Sequence, residues 1–193
     1  MAESVDALVS NTSDSNIVPV RPRLWVHFQS MNILLFMLFL FIFEENLKPI
    51  FMQSNVQKQF LLDTRYLRMA KIWAENSYCE RKKVGAILVN GKMIISDGYN
   101  GTPSGFENKC EDENNVTKTY VLHAEANAIT KVAKSNNSSE GATLYVTASP
   151  CIECAKLIIQ AGIKRVVYSE DYRIADGLDL LIKANIEITH ISL

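Results

Sequence analysis

The sequence predicts an α/β fold, a three-layer α/β/α sandwich around a mixed five-stranded sheet. Three observations carry this. An apolar run, Val84-Gly85-Ala86-Ile87-Leu88-Val89, faces a second, Met93-Ile94-Ile95, across Asn90-Gly91, a dipeptide suited to a two-residue hairpin turn. Beyond it, helical and strand patterns alternate to the C-terminus. Strands joined through a helix run parallel with right-handed crossovers, so the last three strands are expected to be mutually parallel.

Taken in order, Asp63 is placed to cap a first helix running through Trp73. Its apolar positions are Leu67, Ala70, Ile72 and Trp73, and its polar ones Arg65, Arg68 and Lys71. Ser77 to Lys83 connects this helix to the hairpin, which ends in a glycine-rich loop from Gly98 to Gly105. A polar stretch, Glu107 to Thr117, leads to a second helix from about Leu122 to Ala133. Ala142 to Thr147 reads as the third strand and Ile152 to Gln160 as a helix stopped by Gly162. Arg165 to Ser169, Asp176 to Ala184 and Ile186 to Ile191 complete the pattern as strand, helix and strand.

Residues 1–51 break from it. Met1 to Pro22 is polar and lacks a period, and the apolar block Met31 to Phe43 is shorter than the ~20 residues a spanning helix needs. Arg21 and Arg23 ahead of that block mimic a signal anchor, but no small-residue cleavage site follows and Glu44-Glu45 closes it. Met1 to Leu24 also resembles a peptide produced when a transfer-RNA gene is translated as an upstream extension, with Met52 as the true start. The expected organisation is an atypical leader over residues 1–51, either spurious upstream translation or a disordered or apolar extension, with a genuine membrane anchor as the alternative, and one domain over residues 52–193.

Bulk composition narrows the function classes. A chain of 193 residues has room for one domain with a substantial core. Twenty basic against 21 acidic residues give a net charge of −1, which disfavours a nucleic-acid partner. Four irregularly spaced cysteines do not form a secreted disulfide framework and fit a reducing, cytoplasmic setting. No membrane contact is expected of residues 52–193.

The chemistry concentrates in Ser149-Pro150-Cys151-Ile152-Glu153-Cys154. Here two thiols open a helix after a strand, where unpaired N–H groups and the helix dipole favour thiolates. Pro150 costs no helical hydrogen bond at that point. His123 begins another helix, followed by Glu125. Two helix starts facing each other across the sheet would bring one nitrogen and two sulfurs to one zinc ion. Three protein ligands leave a fourth position open, as in a catalytic rather than a structural site, and Glu125 can reach that position without being a ligand. Alone, Cys151 and Cys154 also read as a redox pair or packed thiols, and His123-Ala124-Glu125 as a surface helix start. Together they read as a zinc site. His-x-Glu followed by Pro-Cys-x-x-Cys is the known signature of the zinc nucleobase deaminases, which this chain matches.

Four segments resemble the deoxycytidylate (dCMP) deaminases: Val84-Gly85-Ala86, Gly98-Tyr99-Asn100-Gly101-Thr102-Pro103-Ser104-Gly105, His123-Ala124-Glu125-Ala126-Asn127-Ala128, and Ser149 to Cys154. The resemblance covers Asp63 to the C-terminus. Its histidine and cysteine motifs are common to the cytidine deaminase superfamily, and the Gly-Tyr-Asn-Gly loop points to the deoxycytidylate branch. It implies hydrolysis of dCMP to dUMP and ammonia by a zinc-bound hydroxide, with His123, Cys151 and Cys154 as ligands and Glu125 as proton shuttle. It also implies a homo-oligomer activated by dCTP and inhibited by dTTP, with Mg2+ accompanying the regulatory nucleotide.

Asn100, Ala124 and Tyr172 are the candidate substrate contacts, although Asn100 also suits a structural turn and Tyr172 an ordinary loop. Arg81, Lys82 and Lys83 suit a 5′-phosphate or a plain surface charge run. Some family members carry a second, structural zinc near the regions of Cys79 and Cys110. The remaining histidines here are His27 and His190, so both cysteines are expected to be free thiols. Two other classes stay open: a deaminase of a nucleoside, guanine or a tRNA adenosine, and a non-catalytic structural zinc protein. A closed structural site would have no use for Glu125.

Overall fold

The apolar runs pair as their patterns dictate. In the computed structural model, which describes residues 33–172 and 174–193, β1 (Gly85–Asn90) and β2 (Met93–Tyr99) form the antiparallel hairpin, with Asn90 opposite Met93. β3 (Thr143–Ala148), β4 (Arg165–Glu170) and β5 (Glu187–His190) extend the sheet in the order β2-β1-β3-β4-β5. β1 is antiparallel to both neighbours, and β3, β4 and β5 are mutually parallel as expected. Arg21, Arg23, His27 and the rest of the polar leader lie outside the described residues.

Four helices complete the described fold: α1 (Ile33–Ala74), α2 (Ala124–Ala133), α3 (Ile152–Gln160) and α4 (Asp176–Lys183). From β3 to β5 the strand order advances in one direction, so right-handed crossovers place α3 and α4 on the same face. α2 packs beside them. Ala128 of α2, Ile158 of α3 and Leu181 of α4 share one core with Leu88, Leu144 and Val166. On the opposite face Leu67 and Ala70 of α1 cover Ile87, Val89, Tyr145 and Val167. The two helix starts that carry His123 and Cys151 therefore lie side by side on one face, and do not face each other across the sheet.

A second expectation changes at Asp63. Rather than capping a helix, it sits inside α1, which is helical from Ile33 to Ala74. Asp63 is 2% exposed and accepts hydrogen bonds from Nη1 and Nη2 of Arg165 at 2.9 and 2.8 Å, from the Tyr145 hydroxyl at 2.8 Å and from Gln59 at 2.9 Å. Burial alone would raise its pKa. The hydrogen bonds from Arg165, Tyr145 and Gln59, with the Arg165 charge, outweigh that and hold the carboxyl below its ordinary value. Arg165 also reaches Glu187 of β5 at 2.6 Å, so one guanidinium ties α1, β4 and β5 together.

Cα proximity separates two units, Met1–Gln53 and Ser54–Leu193. Among the described residues no helix is long and apolar enough to cross a membrane.

Candidate active site

Strand directions bring the chemistry to one end of the sheet. β2 and β3 both run antiparallel to β1, so their C-terminal ends, Tyr99 and Ala148, lie together, beside the start of β1 and the end of β4. α2 and α3 begin there. Ligand sites of open α/β sheets form at such carboxyl ends, where loops diverge and helix N-termini converge.

His123 is the N-cap residue of α2 and Cys151 that of α3. Both have extended backbone, with ψ of 159° and 171°, and neither side chain is spent on capping. Their carbonyls accept the first helical bonds, from Asn127 and Ala155 at 3.0 and 2.9 Å, which leaves imidazole and thiol to project beyond the helix starts. Cys154, one turn into α3, points the same way. His123 Nδ1 lies 3.4 Å from both sulfurs, and the three donor atoms fall within 4.8 Å of one another.

Two close approaches fix this arrangement. A Cβ on Gly98 of β2 would strike the Ala124 carbonyl, so glycine lets the start of α2 lie directly on the strand. A Cβ on Gly177 of α4 would strike the backbone of Pro150 and Cys151.

The donor set fits zinc. Tetrahedral bonds of ~2.0–2.1 Å to nitrogen and ~2.3 Å to sulfur put ligand atoms roughly 3.6 Å apart, close to the observed spacing. Without a cation the three groups must share protons. A hydrogen bond from Cys154, partly offset by burial and helped by His123, carries the Cys151 thiol down to about 3, while the same pairing and burial push Cys154 up. A divalent ion resolves that conflict by taking both as thiolates. Glu125, 4% exposed and two residues past His123, is pushed up to about 7 by burial, against the pull of the His123 charge. A cation on its neighbours lowers it again.

These groups open into a cavity of about 250 Å³, a little below the ~300–1,000 Å³ of typical ligand pockets. Asn100, Ala124 and Tyr172 all line it, together with Val84, Ser149 and Arg81. Asn100 has a second occupation: its Oδ1 accepts the Val84 N–H and its Nδ2 donates to the Lys82 carbonyl, both at 2.8 Å. The amide thus shapes the wall formed by residues 82–84. Tyr172 is 40% exposed at the rim, with its N–H bonded to Ser149 Oγ at 2.7 Å. Lys82 pairs with Glu170 at 3.0 Å.

Cys79 and Cys110 are not free thiols. They form a disulfide, and Cys79 lines the cavity. The loops after α1 and β2 run against each other there, a juxtaposition 31 residues apart in sequence that no local pattern announces. Beside the disulfide, Glu111 also lines the cavity, and sequence reasoning passed over it as one acid in a polar stretch. His190, in β5, stacks on Tyr168 and takes no part in the metal cluster.

An antiparallel hairpin feeding a parallel βαβ sheet, with one histidine and two cysteines gathered at helix starts beside a buried glutamate, defines a metal-dependent deaminase fold. The chain belongs to the cytidine and deoxycytidylate deaminase family: residues 62–170, more than half of it, match that family's zinc-binding region. It is 42% identical to ComE operon protein 2 of Bacillus subtilis over 112 residues, covering 56% of this chain and 59% of that protein. To the deoxycytidylate deaminase of Saccharomyces cerevisiae it is 33% identical over 140 residues, 67% of this chain and 45% of the other. The chain thus spans about half the length of these curated relatives. It also resembles the crystal structure of dCMP deaminase from the cyanophage S-TIM5 in complex with dCMP and dUMP. There the TM-score is 0.65 and the identity 46%, over 66% of this chain and 95% of the phage chain.

Proposed function

We propose that this protein hydrolyses dCMP to dUMP and ammonia at a zinc centre held by His123, Cys151 and Cys154. The observation that carries the reading is the convergence of these three soft donors on one point beside the buried carboxyl of Glu125. The relation to the phage enzyme, whose complex holds dCMP and dUMP, supports the substrate.

Zinc held by these residues would supply Lewis-acid activation of a water molecule. Glu125 takes a proton from the attacking water as its oxygen bonds to C4, and delivers that proton to ring N3. It then carries the water's second proton to the amino group as the C4–N bond breaks, which releases ammonia and leaves the C4 carbonyl of dUMP. Ala124, fully buried at the start of α2, bounds the base-binding side beside the ligand His123. Tyr172 closes the rim over the base. Asn100 holds residues 82–84 in place, so that Arg81 and Lys82 stand at the pocket edge to receive the 5′-phosphate.

Assembly into a homo-oligomer, regulation by dCTP and dTTP with accompanying Mg2+, and a cytoplasmic setting belong to the same proposal. We assign the activity to residues 52–193 and treat residues 1–51 as a leader, which the intact mass of the natural protein tests. The substrate is tested by ammonia release from dCMP, dCTP, deoxycytidine, cytidine, guanine and adenosine, measured side by side. The expected result is a kcat/KM for dCMP at least about tenfold above every other substrate, a difference of ~1.4 kcal/mol in transition-state binding. Preference for deoxycytidine would move the protein to a nucleoside branch.

A further inference from the structure

Part of the pocket lining is built from two loops, and its fastenings converge on one residue. The disulfide Cys79–Cys110 joins residues 77–83 to residues 110–118. Next to Cys110, the Glu111 carboxylate accepts the backbone N–H of Glu80 at 3.2 Å and of Arg81 at 3.4 Å, one and two residues past Cys79. Glu111 is 5% exposed, a buried carboxylate holding the main chain of the neighbouring loop. The Arg81 guanidinium then donates from Nη1 to Thr117 Oγ1 at 3.1 Å.

The loop that supplies these partners is itself rigid. Glu111 and Thr117 form an antiparallel bridge, Lys118 N–H donates to the Cys110 carbonyl at 2.9 Å, and Asp112 Oδ1 accepts from Asn114 and Val116, each at 2.9 Å. Arg81 is therefore fixed at backbone and side chain by a hairpin, and that hairpin is bolted to it through sulfur.

We propose that Glu111 and the Cys79–Cys110 disulfide are positioning residues for Arg81, and that reducing the disulfide weakens the hold on the substrate's phosphate end. The inference rests on the reading that Arg81 receives the 5′-phosphate. A guanidinium binds a phosphate monoester through directed N–H donors, so its affinity depends on how well its base is held. The disulfide shares the cavity with His123 and Cys151 but is no part of the donor cluster, so its state is expected to change binding and leave the chemical step alone. Reduction places two electrons and two protons on the sulfur pair. A trialkylphosphine supplies the electrons and leaves as its oxide, the oxygen and protons coming from water.

The test measures kcat, KM for dCMP and zinc content of the full chain, with and without the phosphine. The expected result is a KM raised about tenfold, roughly 1.4 kcal/mol of binding, with kcat within about twofold and zinc unchanged. The double variant Cys79→Ser, Cys110→Ser shows the raised KM under both conditions and no longer responds to phosphine. Glu111→Ala raises KM in the same direction, and Glu111→Gln, which keeps an acceptor oxygen, recovers part of the loss. An unchanged KM on reduction of the wild-type disulfide overturns the inference, as does an equal fall in kcat. If Glu111→Ala fails to fold, the wild-type measurement still decides. Arg81→Ala separates the two levels. If it leaves KM for dCMP unchanged, the phosphate reading fails. If it raises KM while phosphine does not, only the positioning role fails.

Discussion

At the scale of residues, the same side-chain type does opposite work in two places, and burial with its partners decides which. Glu125 and Asp63 are both buried acids. Burial is the largest influence on Glu125 and pushes its carboxyl up, an effect that a cation on the neighbouring donors lowers again. Asp63 meets a bidentate guanidinium and a tyrosine hydroxyl and is held low. Its folded pKa lies below the unfolded one, so its contribution to stability is complete above the ordinary 3.8 and is lost as pH falls through the lower folded value. Near neutrality Asp63→Asn is expected to cost roughly 3 kcal/mol, because it removes the buried carboxylate that pairs with Arg165 and leaves that guanidinium only the exposed Glu187 as a charge partner. Urea unfolding across pH checks this: the gap between wild type and variant narrows once pH drops below 3.8. A gap that widens on acidification would reverse the assignment.

Elements inherit these residue-level choices, and here the sequence could be read far but not completely. Strand and helix positions followed from periodicity and from Asn90-Gly91, because those signals are local. The convergence of His123, Cys151 and Cys154 was equally legible, since His-x-Glu and Cys-x-x-Cys set their own spacing along helix starts. Asp63 was misread as a cap because an acid before an apolar period looks the same whether it bonds the helix or a distant arginine. Its partner Arg165 is 102 residues away. The Cys79–Cys110 pairing and the Glu111 contacts were invisible for the same reason: they join two irregular loops with no period to align them.

Gly98 belongs to this scale as well, because it sets the distance between β2 and α2. Gly98→Ala is expected to cost ~1–3 kcal/mol through overpacking. By displacing His123 and Glu125 it should also lower turnover by about a hundredfold, the effect of a ~1 Å misplacement. Thermal unfolding and kcat measured on the same preparation check it. A variant with wild-type turnover would show that the close approach does not control the site.

For the whole molecule, the one-directional strand order is the main determinant. It stacks α2, α3 and α4 on one face and gathers their starts at one sheet end. The part of α1 that carries Asp63, Leu67 and Ala70 lies on the other face, held through the Asp63–Arg165 pair. One face builds the chemistry, and the other supplies much of the second core. The loops above the sheet end, tied by the disulfide and by Asn100, then close the pocket around the donors.

The central claim is that Glu125 moves protons while His123, Cys151 and Cys154 hold the metal. Zinc content and ammonia release from dCMP, measured together on Glu125→Gln, test it most directly. The variant is expected to hold one zinc per chain, as the wild type is, with turnover lowered by about 10²–10⁴-fold, the usual contribution of a positioned acid–base group. A zinc-loaded Gln variant turning over at near wild-type rate would contradict it.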